Sequence, residues 1–216
     1  MDLMAARRRI LMDTGEFIPP GYQQYDYLKT NQYKSYIDTG VPGDNTLQLD
    51  FTFSPLYSSS WAPIFGNYDG NRNNLFWGMR QTDSNKYLQL FAGCASIANQ
   101  QSVHFDESVI GRKIEVSLGY ASAKFTIDGT EYSPSLTEYS GTASNLNIFI
   151  GNFATTQAYG TTNAFYKIRI TKNGKAIRNY IPVVRKSDSR AGFYDTVNCT
   201  FNPSIGASDF TAGNDA

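Results

Sequence analysis

Residues 165–181 read FYKIRITKNGKAIRNYI, and this stretch predicts a β-hairpin. Apolar and polar side chains alternate through residues 165–171, which is the period-two pattern of a strand with one buried face. Asn173 and Gly174 both tolerate a positive φ and are a strong signal for a two-residue hairpin turn. The return strand covers residues 176–181 and is expected to end at Pro182, which cannot donate a backbone hydrogen bond to a sheet.

The same alternation recurs upstream of this hairpin. Residues 46–53 and 113–120 alternate large apolar with polar side chains, and Asp128 with Gly129 forms a second hairpin turn signal. Residues 146–150 add an apolar stripe with Phe149 on its outer side. Residues 93–106, which include the only histidine, show no clear period and are expected to be irregular. About twelve short strands separated by turn signals predict an all-β, two-sheet antiparallel jelly-roll sandwich.

Short motifs on both sides of the hairpin follow an order that resembles one known family. They are YDYL at 25–28, YIDTG at 36–40, IPVVR at 181–185, GFYDTV at 192–197, FNP at 201–203 and FTAG at 210–213. Their order is similar to that in the laminin-G-like, concanavalin-type jelly-roll domains of phage and prophage proteins of gut bacteria. The resemblance covers residues 25–213 and implies this fold in a virion protein. It implies little about biochemistry, because the fold carries both binding modules and enzymes.

The N-terminal residues differ in character from the rest of the chain. Residues 1–12, MDLMAARRRILM, predict a short helix. A helix of this length is marginal in water and is expected to need a partner surface, the alternative being a frayed or tag-like terminus. Residues 17–21, FIPPG, predict a stiff linker. We therefore divide the chain into a docking segment with linker over residues 1–21 and a jelly-roll domain over residues 22–216.

Charge and hydropathy exclude several classes of partner. The 216 residues include 19 basic and 19 acidic side chains, so the formal net charge is zero. This balance argues against nucleic-acid or anionic-membrane binding through bulk charge. No segment has the length and apolar character of a secretory signal or a membrane span. The chain is therefore expected to be made in the cytoplasm of a host bacterium and, given the resemblance, to reside in the virion.

Two predicted strands, residues 75–80 and 86–91, suggest a binding surface. Their outer faces are expected to carry Phe76, Arg80, Tyr87, Gln89 and Phe91. Aromatic side chains on a sheet face that should be wet often mark an interaction site. Tyr159, in a loop rich in Thr, Gly and Ala, is predicted to contribute at the rim. Alternatively, another part of the chain or a neighbouring subunit covers this face, and a register shift of one residue would reverse the assignment.

Metal, cofactor and disulfide assignments rest on weaker patterns. Asp69, Asn71 and Asn73 repeat oxygen ligands at alternate positions, as in the first half of a calcium-binding loop. No bidentate Glu follows, and Asn and Gly are common in turns, so an ordinary turn is the alternative. No other cofactor is expected. Cys94 and Cys199 are predicted as free thiols of a reducing cytosol, with a disulfide between them as the alternative.

The sequence does not predict an enzyme. Glycoside hydrolases need a pair of suitably spaced carboxylates, and the Glu-x-Asp-x-x-Glu run of laminarinase-like sandwiches is not present. His104 is the only histidine, and no Gly-x-Ser-x-Gly motif accompanies it.

We therefore expect a phage structural protein, in a head decoration, head fibre or tail fibre, that displays a lectin-like domain. It would dock to other virion proteins through residues 1–20, form a homotrimer or another homo-oligomer, and adhere to host or mucus glycans. A carbohydrate-binding module of a bacterial surface protein is the alternative.

Overall fold

The computed structural model describes residues 17–57, 62–67, 75–81, 87–94, 100–105, 107–120, 122–135, 146–152 and 162–215. Within these ranges the chain forms seventeen strands in two antiparallel sheets, with one 3₁₀ turn at Gln32–Lys34. The predicted all-β, two-sheet jelly-roll sandwich is confirmed. The predicted helix over residues 1–12 lies outside the described residues. No helix in the described ranges is long and apolar enough to cross a membrane.

Eleven strands form the larger sheet. They are β1 (Tyr22–Gln24), β2 (Tyr27–Lys29), β4 (Leu47–Tyr57), β9 (Ile114–Leu118), β10 (Ala123–Ile127), β11 (Thr130–Tyr132), β13 (Thr162–Lys172), β14 (Lys175–Arg185), β15 (Arg190–Asp195), β16 (Thr200–Pro203) and β17 (Thr211–Gly213). The main path runs β11-β10-β9-β4-β13-β14-β15-β16. Strand β1 pairs with β14, β2 pairs with β13, and β17 pairs with β2. The N-terminal and C-terminal strands therefore join the same sheet.

Six strands form the smaller sheet, in the order β3-β12-β5-β6-β7-β8. They are β3 (Ile37–Pro42), β5 (Ala62–Gly66), β6 (Leu75–Gln81), β7 (Tyr87–Cys94), β8 (Gln100–His104) and β12 (Asn147–Ile150). Strand β8 corrects the expectation that residues 93–106 are irregular. It pairs only with β7 in the sheet order and includes one apolar side chain, Val103, which is buried. A polar edge strand has no alternation of the kind that predicts a strand.

The core lies between the two sheets and is rich in aromatic side chains. Leu47, Leu49, Phe51 and Phe53 of β4 are all buried, as the alternation predicted. Phe51 meets Phe65 of β5 edge-on, with 5.3 Å between ring centroids, which joins one sheet to the other. Edge-to-face pairs of this kind add to the stabilisation from buried area.

The C-terminal hairpin forms as predicted but its second strand is longer. Asn173 and Gly174 have φ values of 49° and 74°, as a tight hairpin turn requires. Strand β14 continues through Pro182, so the predicted end at this residue is wrong. The Pro182 carbonyl accepts a hydrogen bond of 3.0 Å from the Tyr25 amide, one residue beyond the end of β1. In an antiparallel strand, the N–H and C=O of a residue point to the same side. The side of Pro182 that lacks an N–H donor therefore faces the end of β1, where few backbone hydrogen bonds between the two strands are left to form.

A second apolar cluster lies on the outer face of the larger sheet. Ile181, Val183 and Tyr194 are buried there, while their strand neighbours face the main core. Ile18 and Tyr22 pack against this cluster from the N-terminal side. The backbone of the same segment is held where the Gly21 carbonyl accepts from the Lys186 amide over 2.9 Å. The linker over residues 17–21 is therefore attached to the domain at Ile18 and at Gly21.

Candidate functional site

The predicted patch lies on the outer face of the smaller sheet. Met79 of β6 and Leu88 and Leu90 of β7 are completely buried. Successive side chains of a strand point to opposite faces, so Arg80, Tyr87 and Gln89 lie on the outer face. All three are half-buried. The register therefore places these three predicted residues together, and their binding role stays a prediction.

Two side-chain contacts organise this patch. Arg80 and Gln89 stand directly opposite each other on β6 and β7, and Arg80 Nε donates to Gln89 Oε1 over 2.7 Å. Tyr87 stands opposite His104 of β8, and their rings stack with centroids 4.2 Å apart and planes 20° apart. His104 is exposed and was assigned to no site from the sequence. Its position on the edge strand beside Tyr87 became evident only from the strand pairing.

The other predicted site residues are only partly described. Phe76 and Phe91 belong to β6 and β7, where they pair with Gly93 and Gly78, and their side chains are not among those described. Tyr159 and the predicted calcium ligands Asp69, Asn71 and Asn73 lie outside the described residues. Within the described ranges, no group of three His, Cys, Asp or Glu side chains could hold a metal ion. Cys199 is an exposed free thiol.

Part of the outer face of the smaller sheet is covered by the chain itself. Phe149 of β12 faces outward, as predicted, but only 7% of it is exposed. The Tyr36 ring packs edge-on against it, with 6.1 Å between centroids. Arg80, Tyr87 and Gln89 lie away from this covered part, on β6 and β7 of the same sheet.

A groove with a volume of about 310 Å³ lies on the opposite side of the sandwich, on the outer face of the larger sheet. It crosses β10, β9, β4 and β13, and sequence reasoning assigned no site to it. Five of its side chains are charged: Asp50, Glu115, Lys124, Lys167 and Arg169. The signal was present in the sequence, since these residues occupy the polar positions of the predicted alternation. Charged side chains on the wet face of a sheet are so common that alternation alone does not distinguish a groove.

Some of the charged groups in this groove already form hydrogen bonds or ion pairs with neighbouring side chains. Asp50 accepts hydrogen bonds from Ser117 Oγ over 2.6 Å and from Gln48 Nε2 over 3.0 Å. Lys124 forms an ion pair of 2.5 Å with Glu131, a residue of β11 that does not line the groove. Within the described residues, neither the Arg169 guanidinium nor the Glu115 carboxylate has a hydrogen bond or an ion pair. Asp50 is therefore a fixed acceptor, while Arg169 and Glu115 are the groove charges open to a ligand.

Solved structures with a similar arrangement of strands include a laminin fragment, a pentraxin and an alginate lyase. Domains LG4-5 of the mouse laminin alpha1 chain are 12% identical, with a TM-score of 0.45, over 76% of this chain and 44% of that one. A heptameric SAP-like pentraxin from Limulus polyphemus is 12% identical, with a TM-score of 0.42, over 71% of each chain. A variant of the family 7 alginate lyase A1-II′ is 12% identical, with a TM-score of 0.42, over 72% of this chain and 83% of that one.

No protein-family model and no curated protein sequence matches the chain. The chain spans less than half the length of the laminin fragment. At these identities the similarities concern the jelly-roll fold alone.

Proposed function

We propose that this chain is a structural protein of a phage particle that displays a lectin-like jelly roll for adhesion to host or mucus glycans. The patch of Arg80, Tyr87 and Gln89 is the proposed glycan-binding surface. Head decoration, head fibre and tail fibre are the positions in the particle that fit this role. The phage setting rests on the motif order of residues 25–213, and the glycan-binding role rests on the patch.

The observation that carries the proposed binding role is the arrangement of the two contacts across β6, β7 and β8. The Tyr87 ring is held on one side by the His104 ring, 4.2 Å away, which reduces the entropy lost when a sugar ring packs against it. Two residues further along β7, Gln89 accepts from Arg80 and so fixes a guanidinium beside the ring. A fixed aromatic ring next to fixed polar groups combines apolar contact with directional hydrogen bonds.

The packing of the N-terminal linker supports attachment and display from opposite sides. Ile18 and Tyr22 pack on the outer face of the larger sheet, whereas Tyr87 lies on the outer face of the smaller sheet. A chain anchored through residues 1–20 would therefore present the patch away from the anchor. We propose a homotrimer as the assembled state, which light scattering of the purified full chain would test.

The proposal is a binding role without catalysis. It rests on the missing Glu-x-Asp-x-x-Glu run. It also rests on Asp50, whose carboxylate already accepts hydrogen bonds from Ser117 and Gln48. The alternative is a carbohydrate-binding module of a bacterial surface protein. It uses the same patch and differs only in where the chain is displayed.

A glycan array probed with the full chain tests the binding role. The wild type should bind a defined subset of glycans, and Tyr87→Ala should abolish this binding while it lowers the thermal unfolding midpoint by only about 2–4 °C. Tyr57→Ala is the matched control, because Tyr57 is an exposed tyrosine outside the patch. Repeating the array with a calcium chelator tests the loop at Asp69, Asn71 and Asn73. Absence of binding by a folded wild type, or equal binding by Tyr87→Ala, would refute the assignment.

A further inference from the structure

Strand β8 forms one end of the smaller sheet, and residues 100–104 pair with β7 in an unbroken antiparallel register. In an edge strand of this kind, the N–H and C=O groups of every second residue point away from the neighbouring strand. Val103 and His104 are successive residues, so one of them turns both of its backbone groups outward. Among the described residues, neither has a backbone hydrogen bond other than those to β7. The outer side of β8 is therefore open to a further strand.

The other three ends of the two strand orders carry features that oppose pairing with another chain. The larger sheet ends at β11, a short strand that includes Glu131, and at β16, whose last residue is Pro203. The far end of the smaller sheet is β3, where the Thr39 carbonyl already accepts a hydrogen bond from Arg178. Residues 100–104, by contrast, include no proline, glycine, lysine, arginine or carboxylate. Strand β8 is therefore an unprotected edge.

The sequence of β8 suits pairing with a second copy of itself. When two copies run antiparallel with Ser102 opposite Ser102, Gln100 stands opposite His104, and Gln101 stands opposite Val103. No pair in this register joins two like charges, whether His104 is protonated or not, so none is repulsive. The formal net charge of the chain is zero, so two whole copies do not repel each other through bulk charge either.

We propose that β8 pairs with β8 of a second copy across a two-fold axis at Ser102, which joins the two smaller sheets into one. Main-chain hydrogen bonds between the two edges supply the contact, as when an extended segment adds to an open sheet edge. The contact is self-complementary, so it joins two copies and does not close a ring of three. The full chain is therefore expected to be a dimer, or a hexamer if it also forms the proposed homotrimer.

This pairing places the patches of the two copies on one continuous sheet face. Tyr87 stands opposite His104, so the two Tyr87 positions are three strand spacings apart across the joined sheet and four residues apart along it. With about 4.8 Å between strands and about 3.3 Å per residue, they are about 20 Å apart. Two patches on one face raise the avidity for a glycan that reaches both. This consequence rests on the proposed glycan role of the patch, whereas the pairing itself does not.

Light scattering of the full chain, with substitutions at Ser102, tests the pairing. The wild type should contain an even number of chains. Ser102→Lys brings two ammonium groups together at the axis and should weaken the association at least about tenfold. Ser102→Gln is the matched control, because it lengthens the same side chain without adding a charge and should keep the association. An equimolar mixture of Ser102→Lys and Ser102→Glu should restore it, since opposite charges then meet.

Cysteine cross-linking tests the register of the paired strands. Ser102→Cys should give a covalent dimer under mild oxidation, because Cα atoms directly opposite each other are about 4.5–5.5 Å apart, which a disulfide can span. Gln100→Cys is the matched control in the same strand, since its two copies would lie about 14 Å apart. The wild type carries the same native cysteines as both variants and gives the background.

The outcomes separate this pairing from the proposed homotrimer. A wild-type dimer would support the pairing and refute the trimer, and a hexamer would support both. A folded wild type that is a monomer or a trimer would overturn the pairing, as would equal association of Ser102→Lys and Ser102→Gln. Cross-linking of Gln100→Cys as complete as that of Ser102→Cys would overturn the two-fold axis at Ser102.

Discussion

Arg178 of β14 donates from Nε to the backbone carbonyl of Thr39 in β3 over 2.9 Å, and so connects the two sheets through a single side chain. The same Nε lies 3.6 Å from the carboxylate of Asp195, whose side chain is only 1% exposed. Asp195 also accepts from the Asn198 amide over 2.6 Å and from the Val197 backbone N–H over 3.0 Å. This carboxylate belongs to the GFYDTV motif, which therefore has a structural explanation in this chain.

Replacing Arg178 with Met should destabilise the domain by about 2–4 kcal/mol, because it leaves a buried carboxylate without its cation. Arg185→Met is the matched control: its partner Asp188 is exposed, and loss of an exposed ion pair costs about 1 kcal/mol or less. Urea unfolding of the two variants measures the difference. Equal losses of stability would show that the connection between Arg178, Thr39 and Asp195 contributes little.

Gly174→Ala should destabilise the hairpin by about 1 kcal/mol, since a residue with a side chain is strained at its φ of 74°. The added Cβ meets no atom within 4 Å, so the cost is conformational and not steric. Gly21→Ala is the control, because a Cβ there also meets no atom and its φ lies outside the left-handed region. Thermal unfolding should give a lower midpoint for Gly174→Ala only.

Stability should fall at alkaline pH because of two tyrosines. Burial raises the pKa of Tyr166 from 10.0 to about 12, and burial also raises the pKa of Tyr180. Both rings are therefore neutral in the folded state at pH values where they would ionise in the unfolded chain. Both contributions are complete below pH 10; that of Tyr166 is lost as the pH rises through about 12, and that of Tyr180, whose pKa is raised further, is lost at higher pH. Urea unfolding across this range should show a steady loss of free energy.

Tyr180→Phe should reduce this alkaline loss. It should also cost about 1 kcal/mol at neutral pH, since the Tyr180 hydroxyl donates to the Thr39 carbonyl over 3.3 Å. Tyr57→Phe removes a hydroxyl from an exposed ring and should leave the pH profile as in the wild type. A profile that stays flat for the wild type up to pH 12 would contradict the assignment.

The register of β7 predicts losses of stability of different size for substitutions at two adjacent residues. Leu88→Ala should cost about 2–4 kcal/mol, because the side chain is completely buried in the core. Tyr87→Ala should cost about 1 kcal/mol, as it removes one half-buried ring from the outer face. Chemical denaturation of both variants tests the register. A larger loss for Tyr87→Ala would place this ring in the core and remove it from the proposed glycan surface.

Truncation of the N-terminus should separate docking from folding. Deleting residues 1–16 keeps Ile18 and Tyr22 on the second apolar cluster, so stability should equal that of the full chain. Deleting residues 1–21 removes Ile18 and should cost about 1 kcal/mol as the cluster becomes exposed. Both deletions should abolish incorporation into particles, measured by the copy number in purified virions. Full incorporation of either variant would contradict docking through this segment.

Local patterns were sufficient for much of the fold. Alternation predicted the buried face of β4 and β9, and the Asn-Gly and Asp-Gly pairs predicted both hairpin turns with their positive φ values. These signals are local: a strand with one wet face must alternate, and a two-residue turn needs residues that tolerate positive φ. The sequence by itself therefore determined an all-β sandwich and the faces of its central strands.

The tertiary structure decided what local patterns do not encode. Strand β8 has a single apolar residue, Val103, and β14 passes Pro182 because the missing donor faces the end of β1. The pairing of Tyr87 with His104, and the alignment of Arg169 with Asp50 across two strands, depend on register between segments distant in sequence. Strand register is set by the packing of the whole sheet, so single segments cannot reveal which side chains share a site.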